Sequence, residues 1–221
     1  MAPSSPEGAT DRRPAPRPLP IVVIDHGRGN LRSVQAALSR VGAAPVVTGE
    51  SSVLAGASGV ILPGVGSFHD AFTTLENLGF VAALRDYAAS GRPLLGLCLG
   101  MQLLFESAEE GGPCPGLGLL RGRVVQLEGT PRLPHIGWNL VRRRRPGVLL
   151  GREADHFFFV HSYGARDVED ACLVGTTEYG PTIPAVVEKG NVMGTQFHPE
   201  RSGTAGLELF QRFLGVVRRC S

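Results

Sequence analysis

The chain has 221 residues, 43% of them hydrophobic, and a formal net charge of +2; this is enough for one substantial core, and the charge is too balanced for a nucleic-acid or membrane-surface protein. Cys98, Cys114, Cys172 and Cys220 make no CxxC pair and no metal-ligand spacing, so neither a metal nor a disulfide framework is expected. No apolar run reaches membrane-spanning length and the start lacks the core of a signal peptide, so a reduced cytoplasm is expected, in which Cys98 stays a free thiol.

Residues 1–20 carry Pro3, Pro6, Pro14, Pro16, Pro18 and Pro20 among polar residues, which predicts a disordered arm and leaves 21–221 as a single domain. Ile21 to Asp25 reads as a central strand of a parallel sheet. It breaks at His26-Gly27-Arg28-Gly29-Asn30, where GxGxxG fails and no P-loop lysine follows. That turn is expected to face a partner, with Asn30 as N-cap of a helix over Leu31–Val41. Pro45–Thr48 and Gly59–Leu62 predict two more strands. The second runs into Pro63-Gly64-Val65-Gly66-Ser67-Phe68, where glycines on both sides of Val65 let a peptide N–H turn toward a ligand as half of an oxyanion hole. The Leu99 N–H would be the other half. Asp70 to Ala89 reads as one helix.

Pro93-Leu94-Leu95-Gly96-Leu97-Cys98-Leu99-Gly100-Met101-Gln102 reads as strand, sharp turn and helix, the helix predicted to run to Ser107. The layout is that of a nucleophile elbow with cysteine as the nucleophile. A positive φ is expected at Cys98, and the flanking glycines remove Cβ atoms that would clash. The sulfur then stands at a helix amino end, where backbone N–H groups favour an anion. Near the other end of the chain, Val192 to Glu200 reads as a strand closing in His-Pro-Glu. Pro199 pushes His198 into extended conformation, so Glu200 at i+2 is expected beside the imidazole as its orienter.

From Gly111 onward, turn-rich segments alternate with strand-like runs at Gly122–Leu127, Phe157–Val160, Ala171–Val174 and Ala185–Val187, and Gly203–Arg218 has a helical apolar face. The fold class expected is α/β: a doubly wound, mostly parallel, flavodoxin-like sheet flanked by helices, with an antiparallel C-terminal part and the site at the carboxyl ends of the strands. Arg142 to Arg145 reads as a solvated loop. His161 reads as a structural histidine beside the site, and His69, His135 and His156 as ordinary polar residues.

Gly64-Val65-Gly66, Gly96-Leu97-Cys98-Leu99-Gly100 and His198-Pro199-Glu200, in this order, resemble the class I (triad) glutamine amidotransferases. The stretches at 25–34, 62–68 and 98–107, with Pro134-His135-Ile136-Gly137-Trp138-Asn139 and Val160-His161-Ser162-Tyr163, resemble the glutaminase subunits of imidazole glycerol phosphate synthases, from about residue 21 to the end. The resemblance implies that Cys98 attacks the side-chain amide of L-glutamine, that His198 shuttles protons and that Glu200 orients it. Gln102, Ser162 and Tyr163, with Gly64 nearby, would hold the glutamine backbone. A peptide flip at Gly64-Val65-Gly66 would complete the oxyanion hole of Val65 and Leu99. Asn30, Trp138 and Arg201 would face a cyclase subunit, a (β/α)8 barrel joined as a heterodimer. That partner would use the ammonia to make imidazole glycerol phosphate and aminoimidazole carboxamide ribonucleotide in histidine biosynthesis, and no cofactor is implied.

His26 and Arg28 stand where tyrosine and often methionine are expected, and Arg201 where lysine is usual. Other readings of the same residues are a glutaminase of another pathway, such as pyridoxal phosphate synthesis, and a non-catalytic scaffold for a barrel partner. A cysteine protease of similar fold has no obvious use for Gln102 or Ser162-Tyr163.

Overall fold

The computed structural model describes residues 20–220. The arm expected at 1–20 lies outside the described residues except for Pro20, which opens the first strand.

Nine strands form the main sheet, in the order β2-β1-β3-β4-β13-β12-β11-β8-β9. The chain reaches them as β1 (Pro20–Ile24), α1 (Leu31–Arg40), β2 (Ala44–Thr48), β3 (Gly59–Gly64), α2 (Phe68–Asn77), α3 (Phe80–Ala89), β4 (Leu94–Cys98) and α4 (Leu99–Leu103). A small sheet and long antiparallel strands follow: β5 (Ser107–Ala108), β6 (Cys114–Pro115), β7 (Arg123–Gln126), β8 (His135–Arg143), β9 (Ala154–His161), β10 (Tyr163–Arg166), β11 (Leu173–Glu178), β12 (Thr182–Lys189) and β13 (Val192–Thr195). The last helix is α5 (Gly203–Cys220).

The apolar runs behave as strands covered on both faces. In β1, Val22 and Ile24 enter the core beneath α2, α3 and α4, while Ile21 and Val23 enter the core beneath α1 and α5. The doubly wound, mostly parallel half with an antiparallel extension is the fold the sequence predicts.

Four expectations are corrected. The helix predicted over Asp70–Ala89 is two, because the chain turns left-handed at Gly79 (φ 73°) between α2 and α3. The elbow helix is one short turn, Leu99–Leu103, not a run to Ser107. Asn30 occupies the N-cap position of α1, but its side chain accepts from Ser33 Oγ (2.9 Å) and caps no N–H. Arg142 and Arg143 belong to β8 rather than a loop, and Arg145 donates to the carbonyls of Pro146 and Glu188.

Candidate active site

Three parallel strands end side by side and bring the chemistry together. Gly64 at the end of β3 is abreast of Cys98 at the end of β4. On the other flank Thr195 of β13 pairs with Leu97, so the next residue, Gln196, comes abreast of Cys98.

Cys98 has φ 53° and ψ −108°, a backbone conformation that costs an L-residue about 1–3 kcal/mol. The neighbouring glycines allow it. A Cβ on Gly100 would lie 1.8 Å from the Leu62 carbonyl oxygen, and one on Gly96 2.5 Å from the Gly100 oxygen. Backbone rests on backbone, and the sulfur is held at the floor of a cavity of about 340 Å³ lined also by Val65, Leu99, Gln102, Glu110, His161 and Tyr163.

His198 and Glu200 meet as expected, by a different geometry. His198 is extended (φ −100°, ψ 95°), but Pro199 to Arg201 form a 3₁₀ turn, and it is this turn that returns the carboxylate to the ring. His198 Nδ1 donates to Glu200 Oε1 at 2.9 Å, with both side chains at most 5% exposed. Its Nε2 is buried and has no partner at hydrogen-bond geometry. Burial by itself disfavours the imidazolium; the Cys98 thiolate and the Glu200 carboxylate outweigh it and push the His198 pKa up to about 10. Sulfur and ring are thus close enough to couple without being aligned to bond, a common state before substrate tightens a site. Because the folded pKa is above the ordinary 6.5, the stabilisation from this pairing is complete below about pH 6.5 and lost as pH rises through 10.

The remaining expected residues divide. Val65 (40% exposed) and Leu99 line the cavity with Ser162 and Tyr163. Gly64 does not; a Cβ there would meet Leu99 Cβ at 3.0 Å, so it is packed under the elbow. Gln102 lines the cavity, yet its Nε2 donates to the Tyr163 carbonyl (2.8 Å) and to Gln196 Oε1 (3.1 Å). Gln196, fully buried, turns its own Nε2 to the Cys98 sulfur at 3.8 Å.

Gln196 and Glu110 were not found by reading the sequence. Glu110 Oε2 accepts from the Phe68 N–H (2.7 Å) at the start of α2, which sets a carboxylate on the cavity wall. Its only signal in sequence was an acidic pair, Glu109-Glu110, in a turn. His161 is the structural histidine beside the site that the sequence predicts, whereas His135 is more than an ordinary polar residue. His161 Nδ1 donates to the Tyr163 carbonyl (2.8 Å), which leaves its Nε2 to accept from His135 Nδ1 (3.1 Å); His135 Nε2 then faces the Asn139 amide (3.3 Å). Only neutral rings satisfy that chain, since a proton added to either sets two donors face to face. Burial pushes both pKa values down to about 4. His135 is also stacked between Phe159 and Tyr179.

The turn after β1 grips the segment beside the cavity. His26 is buried and its Nε2 donates to the Pro63 carbonyl at 2.8 Å, while Arg28 pairs with Asp70 at 3.1 Å next to Gly66. Outside the cavity, β8 presents Ile136 and Trp138 at 59% and 57% exposure. Trp138 meets the Phe158 ring edge-on, and the Arg201 guanidinium lies 4.0 Å over that same ring. Asn30 is exposed at the start of α1.

Among the described residues, no helix is long and apolar enough to cross a membrane and no side-chain cluster could hold a metal ion. Comparison with known proteins adds a family. Residues 22–216 match the family model described as glutamine amidotransferase class-I. The chain is 48% identical over 204 residues to the imidazole glycerol phosphate synthase subunit HisH of Geobacillus thermodenitrificans, covering 89% of this chain and 96% of that one. It is 49% identical over 201 residues to the protein of the same description from Moorella thermoacetica, covering 90% and 96%. Among solved structures, one described as a glutamine amidotransferase superposes with a TM-score of 0.73 at 22% identity, covering 89% of this chain and 98% of that one. PurLQS of Thermotoga maritima superposes at 0.72 and 21%, covering 90% and 98%. These two likenesses concern the fold.

Proposed function

The chain belongs to the class I glutamine amidotransferases, and within them to the HisH subunits of imidazole glycerol phosphate synthase, and from that premise we propose how its residues hydrolyse glutamine and where the ammonia goes. The observation that carries the reading is the buried His198–Glu200 pair coupled to Cys98 at the floor of the cavity.

Glutamine enters with its side-chain amide toward the sulfur. Glu110 suits the α-ammonium, and the Ser162–Tyr163 segment suits the rest of the substrate's backbone, because a zwitterion needs both an anion and N–H donors when it leaves water. The Cys98 sulfur bonds to the amide carbon while His198 holds the thiol's proton at Nε2. The carbonyl oxygen takes up the negative charge and is met by the N–H groups of Leu99 and Val65. The C–N bond then breaks as His198 passes its proton to the nitrogen. Ammonia leaves, and a glutamyl thioester remains on Cys98. Water attacks the thioester with His198 as base, the C–S bond breaks, and glutamate and free thiolate are regenerated. Glu200 keeps the imidazole in one tautomer and stabilises its cationic form throughout.

The relatives' description as a synthase subunit implies that the ammonia is used by another subunit. Ammonia released into neutral water is protonated and loses its nucleophilicity, so the exit has to be covered by that subunit. The exposed Ile136, Trp138 and Arg201 suit a covering partner, as does the exposed Asn30. On this reading the partner is a cyclase of (β/α)8 architecture that consumes the ammonia in making imidazole glycerol phosphate, and the pair works as a heterodimer.

The experiment is glutamate release from glutamine by the chain alone, with the cyclase, and with cyclase plus its nucleotide substrate, each against Cys98→Ala. Strong release in the complete mixture, abolished by Cys98→Ala, is the expected result. High activity of the lone chain that the cyclase leaves unchanged would overturn the partnership and leave the glutaminase chemistry standing.

A further inference from the structure

One carbonyl on the cavity wall accepts two hydrogen bonds, and no step above uses that fact. Tyr163 stands opposite Gln126 where β10 pairs with β7, and the Leu127 N–H donates to the Ser162 carbonyl at 2.9 Å. Main-chain groups alternate in direction along an antiparallel ladder, so Tyr163 turns its own N–H and carbonyl away from β7. The carbonyl meets Gln102 Nε2 and His161 Nδ1, each at 2.8 Å, and both donors belong to residues that line the cavity. A peptide oxygen has two lone pairs, and here both are taken. The main chain of Tyr163 is left with its N–H alone to offer a substrate.

That decides which end of an amino acid can lie there. An open carbonyl would attract the α-ammonium, whereas a filled one leaves a donor that suits only the α-carboxylate. Gln102 uses both N–H groups, on Tyr163 and on Gln196, so its oxygen remains to meet the substrate. The His161 ring is kept from turning over, because its Nε2 accepts from His135 Nδ1 at 3.1 Å. His135 is fixed in turn by its stack between Phe159 and Tyr179. We infer that His161 is a positioning residue for glutamine, which fills the second lone pair of the Tyr163 carbonyl and so reserves this part of the wall for the α-carboxylate, and that His135 holds His161 in that role. The ammonium is thereby left to Glu110. The inference rests on the glutaminase reading and deepens it.

The test measures hydrolysis of L-glutamine and of L-glutaminamide, in which the α-carboxylate is a neutral amide, by the complex with the cyclase and its nucleotide, each product followed by mass spectrometry. Wild type should prefer L-glutamine. His161→Leu removes the donor, and it is expected to raise KM for L-glutamine about tenfold, to leave kcat within about twofold, and to narrow the preference over glutaminamide by a similar factor. His161→Gln still donates to the Tyr163 carbonyl and accepts from His135, so it should restore both values to within about threefold of wild type. His135→Phe keeps an aromatic ring in the stack and loses the bond to His161; KM should rise about threefold. A ring that only fills space would instead lower kcat, weaken both substrates alike, or gain nothing from the Gln replacement. Any of these overturns the inference, as does a wild-type KM in His161→Leu or a wild type that takes both substrates equally. Should His161→Leu not fold, His135→Phe decides by the same two ratios. If the wild-type complex hydrolyses no glutamine, the glutaminase reading falls and the inference with it; hydrolysis by wild type with unaltered KM and preference in the variants overturns the inference alone.

Discussion

The cavity has two walls built by different means. The wall on the parallel half, from β3, β4 and α4, is backbone against backbone: Gly96 and Gly100 let main-chain atoms approach where a methyl group would collide, and Gly64 packs closely against Leu99. The wall on the antiparallel half, from β9 and β10 with β8 behind it, is tied by side chains, running from Asn139 through His135 and His161 to the Tyr163 carbonyl. The glycine contacts of the first wall leave no room for a methyl group at Gly96 or Gly100 and carry no titrating group. The second tolerates changes of shape but depends on two rings staying neutral. On the proposed reading, a site that must hold a strained nucleophile in place and also answer to a partner on β8 is served by that division.

The largest effect is expected from breaking the first wall. Gly100→Ala drives a methyl group to 1.8 Å from the Leu62 oxygen, a backbone atom that cannot swing aside. It should cost at least about 3 kcal/mol in urea unfolding and end glutamine hydrolysis. Gly56→Ala, where nothing lies within 4 Å, should stay within about 0.5 kcal/mol of wild type. Equal losses in the two would mean that glycine flexibility, and not close approach, is what matters.

The second wall is tested by acid. His161 has its pKa pushed down to about 4 by burial, so the folded state resists protonation that the unfolded chain accepts near 6.5. The stability associated with the neutral ring is complete above about pH 6.5 and lost as pH falls toward 4, on the order of 3 kcal/mol. Gln at 161 can donate to the Tyr163 carbonyl and accept from His135 without titrating. His161→Gln should therefore flatten the fall in stability between pH 6.5 and 4 by roughly that amount, measured by chemical unfolding at each pH. A fall as steep as in wild type would place the acid sensitivity elsewhere.

The two walls were unequally legible. Glycines at fixed offsets from Cys98 are a local constraint, so the elbow, its positive φ and its steric cause could be read directly. His198 and Glu200 could be paired from their spacing, although the contact comes from a 3₁₀ turn and not from strand alternation. The break at Gly79 was hidden because apolar residues continue across it at helical spacing, as Leu75, Leu78, Val81 and Leu84. Strand β8 was hidden for the opposite reason: it buries His135 and exposes Ile136 and Trp138, inverting the pattern by which a half-buried strand is recognised. Gln196 and Gln102 become partners only through the register of β13 on β4, and the His135–His161 chain only through β8 pairing with β9. Neither register is written in the local sequence.

Smaller effects sharpen the comparison further. Cys98 stores strain in the first wall, so Cys98→Gly should abolish hydrolysis and yet raise stability by about 1 kcal/mol, since glycine adopts positive φ freely. Stability equal to or below wild type would mean that the elbow is relaxed and that the glycines serve packing alone. The smallest effect on the chain itself belongs to the outer face of the second wall. Trp138 is 57% exposed and touches the Phe158 ring only edge-on, so Trp138→Ala should shift the unfolding of the lone chain by no more than about 0.5 kcal/mol. On the proposed reading, an aromatic left in water on the strand whose buried His135 bonds to the cavity-lining His161 has its use in association, where burying it should contribute about 2 kcal/mol or more. Titration calorimetry with the cyclase should therefore show at least about thirtyfold weaker binding for the variant, while its lone-chain unfolding curve overlays that of wild type. A large loss of stability without the cyclase would show instead that β8 is held in register by Trp138, and the second wall would then depend on its surface as much as on its buried histidines.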